Sequence, residues 1–314
     1  MPDNTKAIIL VNLDSNNKNA EKKWHVVADK VLSRFPLGTK VMEYHIPFDI
    51  KKCLHNQIIQ EKVNCIISAG GDGSANIILN ELIRLQNDNR LELTMGFIGL
   101  GSSNDILKPC ETIFDGIRFK INLSKILKVD LGVASFIDQH DNPIKRFFLA
   151  NSSIGVGASA NWLFNQENFL IRFLKSRWLN LAITYVTIKS ILNFKNYPIE
   201  LRSQNKKSNL MVSHMSIIKN PYISGDLKFD QEIAPDDGKL GLNICENMSK
   251  WELILVMLDL KKGKFSGKPK RHSCFIKDLQ IKPNSLIPVE LDGEIELIKE
   301  INYTIYPKAI NILQ

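Results

Sequence analysis

The chain has 314 residues, 44% of them hydrophobic, enough for one large core or for two domains. Lys and Arg number 41 against 33 Asp and Glu, and the resulting charge of +8 suits anionic partners (nucleotides, nucleic acid or an anionic membrane surface) without choosing among them. Five scattered cysteines, Cys53, Cys65, Cys110, Cys245 and Cys274, lack any CxxC spacing, which argues against a disulfide scaffold or a zinc module and reads as thiols in a reducing compartment. MPDNTK leads straight into AIILVNL, too short for a signal core. No apolar run reaches the roughly 18 residues of a membrane span. The nearest, WLNLAITYVTIKSILNF, is interrupted by Lys189. A soluble, cytoplasmic protein is expected, with peripheral membrane contact left open.

AIILVNL (7–13) reads as a short buried strand followed by the polar turn DSNNKN. AEKKWHVVADKVLSRF places Trp24, Val27, Val31 and Leu32 at helical spacing. KVMEYHI alternates like a strand, DIKKCLHNQIIQ is helical, NCIISA (64–69) is a strand, NIILNELIRLQ a helix and LTMGFIGL (93–100) a strand. Strands alternating with helices predict a parallel sheet covered on both faces, a three-layer α/β domain. Ligands bind such sheets at the carboxyl ends of the strands, where the Asn-rich turn, a glycine loop and GLGSSND all fall. Near residue 129 the period changes. Short strands with turn signals then dominate and predict a mostly antiparallel second domain, interrupted by one helical block at 168–194.

Four loops carry candidate chemistry. In SAGGDGSANIILNELIRL a strand meets three glycines within four residues and then a helix, with Ser74 as candidate N-cap. That order presents backbone N–H groups to an anion, and glycine lets phosphate approach the backbone. No Gly-Lys-Ser/Thr follows, so it is not a P-loop. GLGSSNDIL (99–107) is a second Gly/Ser-rich loop after the next strand; an ordinary Asx turn is its plainer reading. In VELDGEIE (289–296), Asp292-Gly293 reads first as a hairpin turn, while Asp292 or Glu294 could take a proton from a substrate hydroxyl. APDDGKLGL (234–242) offers adjacent acids for a hard cation or a solvated turn.

These pieces, in this order, resemble the diacylglycerol kinase catalytic-domain family, and more closely its soluble bacterial lipid kinases, with sphingoid-base kinases as cousins and NAD kinases sharing GGDG. The carriers are Asn12-Leu13-Asp14-Ser15-Asn16, GGDGS, GSSND, PDDG and LDGE, with weaker matches in VDLG (129–132), FFLANSSIGVGA (147–158) and YPKAINIL (306–313). The resemblance covers essentially the whole chain. It implies an α/β nucleotide domain over 1–128, completed by 300–314, and a β-rich lipid-binding domain over 129–299. The implied reaction is transfer of the ATP γ-phosphate to a lipid hydroxyl, with Mg²⁺. By position, Asn12, Leu13, Asp14, Ser15, Asn16, His45, Gly70, Gly71, Asp72, Gly73, Ser74, Ala75, Asn76 and Ser102 would line the nucleotide. Asp292 or Glu294 would be the general base. Asp72, Asp105 and Asp130 would form a carboxylate cluster organised by a metal ion and water, and Asp237 with the carbonyls of Ala234 and Lys239 would hold a second cation. The expected partner is a lipid at a membrane surface; nucleic acid is not expected, and a homodimer is left open.

The chain departs from the family pattern at Leu13 (Pro), Asn16 (Gly), Asn17 (Lys), His45 (Thr) and Ile77 (acidic). Asn is the best non-glycine occupant where a turn needs a left-handed backbone. An NAD kinase and a catalytically weakened lipid- or membrane-binding protein are the alternatives. In the 168–194 block, Arg172, Lys175 and Arg177 among Phe169, Leu170, Phe173, Leu174 and Trp178 fit either a membrane-docking helix or a helix packed on the β domain. KGKFSGKPKRH (262–272) reads as a solvated basic loop or a second basic contact.

Overall fold

A computed structural model of the chain describes residues 5–16, 18–165, 171, 173, 174, 177–203 and 206–314. The chain divides into two compact units, Met1–Val129 with Lys308–Gln314, and Asp130–Pro307. Asn17, Phe169, Leu170, Arg172 and Lys175, singled out above, lie outside the described residues.

The first unit runs β1 (Ala7–Asn12), α1 (Asn19–Leu32), β2 (Lys40–Tyr44), α2 (Ile50–His55), β3 (Cys65–Gly70), α3 (Asp72–Asn89), β4 (Thr94–Gly99), β5 (Thr112–Phe114) and β6 (Ile117–Lys120). β1 pairs in parallel with β2 and with β3, and β3 with β4. Beyond β4 the sheet is mixed. β6 runs antiparallel beside Phe97 and Ile98, while Asn311 and Ile312 add in parallel opposite Thr94 and Met95. The parallel sheet expected from the sequence is thus corrected to a mixed one. The chain leaves β4 through a single 3-10 turn, Asp105–Leu107, with no crossover helix to return it in the parallel sense.

Every residue of β1 and β3 is buried, as strands covered on both faces must be. Ile9, Val11 and Ile67 pack with Trp24, Val27 and Val31 of α1. Ile8, Leu10 and Ile66 on alternate positions are buried too, and α3, with buried Ile78, Leu79 and Leu82, packs on β3. Each such aliphatic side chain stabilises the unit by about 1.5–3 kcal/mol.

The second unit begins inside β7 (Ile126–Asp138) and continues with β8 (Pro143–Phe148), β9 (Asn151–Gly155), α4 (Val156–Asn165), α5 (Leu179–Asn193), β10 (Tyr197–Ser203), β11 (Lys206–Ile218), β12 (Tyr222–Ile223), β13 (Leu227–Lys228), β14 (Leu240–Glu246), α6 (Lys250–Leu260), β15 (Arg271–Ile276), β16 (Asp278–Pro283), β17 (Ile287–Leu291) and β18 (Glu294–Leu313), whose last residues belong to the first unit. β9, β10, β11, β16, β17 and β18 form a closed antiparallel circuit: β11 pairs β10 and β9, β10 pairs β16, β16 pairs β18, β18 pairs β17, and β17 pairs β9. Each strand of the circuit is thus paired on both sides, while β8 and β15 stand at edges. Inside lie Phe148, Ile154, Met215, Ile217, Val289, Ile301 and Tyr303.

Two expectations are corrected here. The second unit holds more helix than one block: α6 lies inside the region where strands are expected. It buries Leu253, Val256, Met257 and Leu260 and also exposes Trp251, Leu255 and Leu258, so no polar face marks a helical period. Its signal was the capping box in which Ser249 and Glu252 satisfy each other's backbone N–H. Phe265, read within a solvated stretch, is 0% exposed and stacks edge-on against Phe229. Among the described residues, no helix is long and apolar enough to cross a membrane.

Candidate active site

In the first unit the candidate residues gather at the carboxyl ends of β1, β3 and β4. The turn after β1 is built around Asn12, which is buried and whose Oδ1 accepts the Asp14 N–H at 3.0 Å. Its Nδ2 donates to Ser74 Oγ at 2.8 Å, and Ser15 Oγ lies 3.4 Å from the same hydroxyl. Tyr44, at the end of β2, also hydrogen-bonds Ser74. Burial pushes the Tyr44 hydroxyl up to about 12. Ser74 therefore ties three segments together rather than capping α3; the N-cap is Gly71, with Asp72 already in the first turn. Asn16 does adopt φ 54°, the left-handed backbone that its family glycine suggested. Asp14 accepts from Ile46 N–H at 2.6 Å and pairs with exposed His45 at 3.0 Å. The His45 hydrogen bond, followed by that from Ile46, holds the Asp14 carboxyl below its usual range. Leu13, Ala75 and Asn76 are buried, Ser102 is half-buried, and Ile77 lies on the outer face of α3 at 48% exposure.

The glycines let the two loops approach closely. A Cβ on Gly101 would come within 2.4 Å of the Gly71 Cα, so the two glycine loops pack backbone on backbone. Leu100 and Gly101 both donate N–H to the Gly70 carbonyl, at 3.0 and 2.9 Å. Asp72 completes the junction: its Oδ2 and Oδ1 accept the N–H groups of Asp105 and Ile106, each at 3.1 Å. The Asp72 carboxylate is thus turned into the second loop and holds it. The helical ladder of α3 opens with Ala75 N–H donating to Gly71 O at 3.0 Å, and the first-turn N–H groups ahead of it carry the positive end of the helix dipole. Lys23, from α1, reaches this loop and donates to the Gly101 carbonyl at 3.3 Å. Partial burial lowers its ammonium pKa. No local pattern marks this lysine, because it lies far from the loop in sequence on a strongly charged helix.

In the second unit, Asp292 and Gly293 both have positive φ, 44° and 98°, and turn β17 tightly into β18. The Asp292 carboxylate is 2% exposed and accepts three backbone N–H groups, from Leu149 at 2.7 Å and from Ala150 and Asn151 at 2.9 Å. Glu290 is buried as well, accepting from Gly293 N–H at 2.6 Å and Ser153 Oγ at 2.9 Å. Glu294, across the turn, is open to solvent. Desolvation by the surrounding protein, together with the Glu296 charge, raises its carboxyl pKa above the usual value, while Arg146 opposes the shift.

The residues expected to hold metal are otherwise engaged. Asp105 Oδ1 takes the ammonium of Lys108 at 2.7 Å, both side chains nearly buried. Asp72 is occupied as described. Asp130 Oδ2 accepts Gly238 N–H at 2.7 Å. Ala234 O, Asp237 Oδ1 and Lys239 O surround not an open space but the ammonium of Lys219. Among the described residues, no three His, Cys, Asp or Glu side chains are grouped to hold a metal ion. The donor sets implied by the resemblance thus do not fit a resident metal.

The mixed α/β unit with glycine loops at its strand ends, joined to an antiparallel β unit, defines a kinase fold of the diacylglycerol kinase and NAD kinase type. A structure of a diacylglycerol kinase from Bacillus anthracis str. Sterne matches with TM-score 0.67 at 15% identity, covering 100% of this chain and 98% of that one. Yeast NADH kinase matches with TM-score 0.51 at 11% identity, covering 99% and 83%. Residues 6–131 match the diacylglycerol kinase catalytic domain, and residues 151–314 match the YegS C-terminal NAD kinase beta sandwich-like domain. The chain belongs to the YegS-like lipid kinase family. A protein of Shewanella frigidimarina (strain NCIMB 400) named "Probable lipid kinase YegS-like" is 24% identical over 262 residues, 82% of this chain and 78% of that protein.

Proposed function

We propose that the protein transfers the γ-phosphoryl group of ATP to the hydroxyl of a lipid, diacylglycerol or a close relative, with Glu294 as general base. The observation that carries this is the contrast across one turn: Asp292 is saturated by three N–H groups, whereas Glu294 is accessible and holds its proton more tightly than an ordinary glutamate. A base works best with a pKa drawn toward the working pH. The Glu294 carboxylate takes the hydroxyl proton as the lipid oxygen bonds the γ-phosphorus, and the bond to the bridging oxygen breaks to release ADP. The first-turn N–H groups of α3 and the Lys23 ammonium supply positive charge for the phosphates. Mg²⁺ enters with the nucleotide as Mg·ATP.

The lipid is met at an anionic membrane surface. On α6, exposed Trp251, Leu255 and Leu258 form an apolar stripe, with Lys250 at its start and Lys261 and Lys262 just beyond its end. Tryptophan and lysine beside aliphatic side chains suit the headgroup boundary.

A panel of lipids and NAD, incubated with γ-labelled ATP, tests the reading. Label enters a hydroxyl lipid, faster in anionic vesicles than in detergent micelles, and Trp251→Ser removes the vesicle advantage alone. Label in NADP without labelled lipid would overturn the lipid assignment in favour of an NAD kinase.

A further inference from the structure

Lys219 follows β11 directly and is buried, its side chain 2% exposed. Burying an ammonium is costly unless every N–H finds an acceptor. Here all three do. Nζ donates to Asp237 Oδ1 at 2.7 Å, to Ala234 O at 2.8 Å and to Lys239 O at 3.2 Å, while Asp130 Oδ2 stands at 3.5 Å. An ammonium has three donors, and three oxygens meet them. The turn is shaped around this point. Lys239 N–H donates to Asp237 Oδ1 at 3.1 Å and Ala234 N–H to Asp237 Oδ2 at 3.3 Å, which aims the carboxylate inward. Gly238 N–H fixes Asp130 from the other side at 2.7 Å. Burial alone would push the Asp237 carboxyl up, but the Lys219 hydrogen bond and charge, with the two N–H groups, hold it below its usual range.

Two carbonyls and a carboxylate converging on one point are the donor chemistry of a hard cation. Such an ion would sit about 2.3–2.6 Å from those oxygens, in the volume that Nζ fills. We propose that Lys219 is the resident cation of this turn: its ammonium permanently replaces a divalent ion, so the second unit is organised without metal. The inference concerns how this unit is held together and stands whether or not the kinase reading does.

Calcium binding and thermal melting of the full chain, without nucleotide, test it. Equilibrium dialysis of the wild-type protein against Ca²⁺ should show no bound ion that Asp237→Asn abolishes, and its melting temperature should be the same in EDTA and in millimolar Ca²⁺. Lys219→Ala should melt lower in EDTA, by on the order of 10 °C, since the oxygens of Asp237, Ala234 and Lys239 lose the cation they converge on. It should regain part of that loss in Ca²⁺ and bind about one ion, as a cleared oxygen cage would. Lys219→Ala/Asp237→Asn should show neither gain. An Asp237-dependent Ca²⁺ ion on the wild-type protein would overturn the proposal, as would a folded Lys219→Ala that binds no ion. Should Lys219→Ala fail to fold, the wild-type dialysis with its Asp237→Asn control decides the matter.

Discussion

The two units treat their acidic residues differently. In the first, Asp72 and Asp105 are spent on architecture, one accepting two backbone N–H groups and the other paired with Lys108. In the second, Asp237 and Asp292 are spent in the same way, but Glu294 is left facing solvent with a raised pKa. A carboxylate locked in hydrogen bonds positions its neighbours; proton transfer needs one with a lone pair to offer. The comparison therefore sets the residues that hold the loops apart from Glu294, whose carboxylate faces solvent.

The sharpest way to break that separation is to remove Glu294 and Asp292 in turn. Glu294→Gln is expected to lower kcat by about 10²- to 10⁴-fold with an unchanged melting curve. Asp292→Ala should instead unfold early in urea, losing about 4 kcal/mol or more, because three buried N–H groups lose a charged acceptor. If Glu294→Gln stays fully active, the base lies elsewhere.

A pH series probes the same unit away from those acids. His214 is buried, with Nε2 2.9 Å from Ser216 Oγ, and desolvation lowers its pKa from 6.5 to about 4. Below 6.5 the unfolded chain gains a proton that the folded one refuses, so stability falls as pH drops from 6.5 to about 4 and levels off beneath. The loss amounts to about 3 kcal/mol. Asp14 and Asp237, whose carboxyls are held low, act at lower pH, below their usual 3.8. Denaturant midpoints between those pH values should flatten in His214→Gln; an unchanged slope would assign the effect to other groups.

The smallest effect is expected at Ile77, where the family carries an acid. Ile77→Glu should shift stability by less than about 0.5 kcal/mol, as suits an exposed site. A tenfold rise in activity on that change would show that the departure matters to nucleotide use.

Legibility followed distance along the chain. The strand–helix alternation of the first unit, the left-handed Asn16 and the Asp292-Gly293 hairpin are written in adjacent residues and could be read. Lys108 could have been read too, since it stands three places after Asp105 in NDILK. Lys219 could not, because a lysine closing the apolar run HMSIIK looks like a strand end leaving for solvent. Ser74 misled as a cap because its hydroxyl is claimed by Asn12, from a strand 62 residues earlier. The antiparallel edge beside β4 was hidden for a similar reason: only the absence of a crossover helix announces it.

The closed circuit of the second unit also bears on how the protein is made. Its last seam joins β9 to β17, setting Ser152 against Leu291, and β18 must follow to finish it. The first unit gains its final strand residues, Asn311 and Ile312, from the end of the same strand. Neither unit can be completed while the ribosome still holds the closing stretch of chain. Long-range pairings of this kind form late and slowly. The apolar strands synthesised earlier stay without these partners until then.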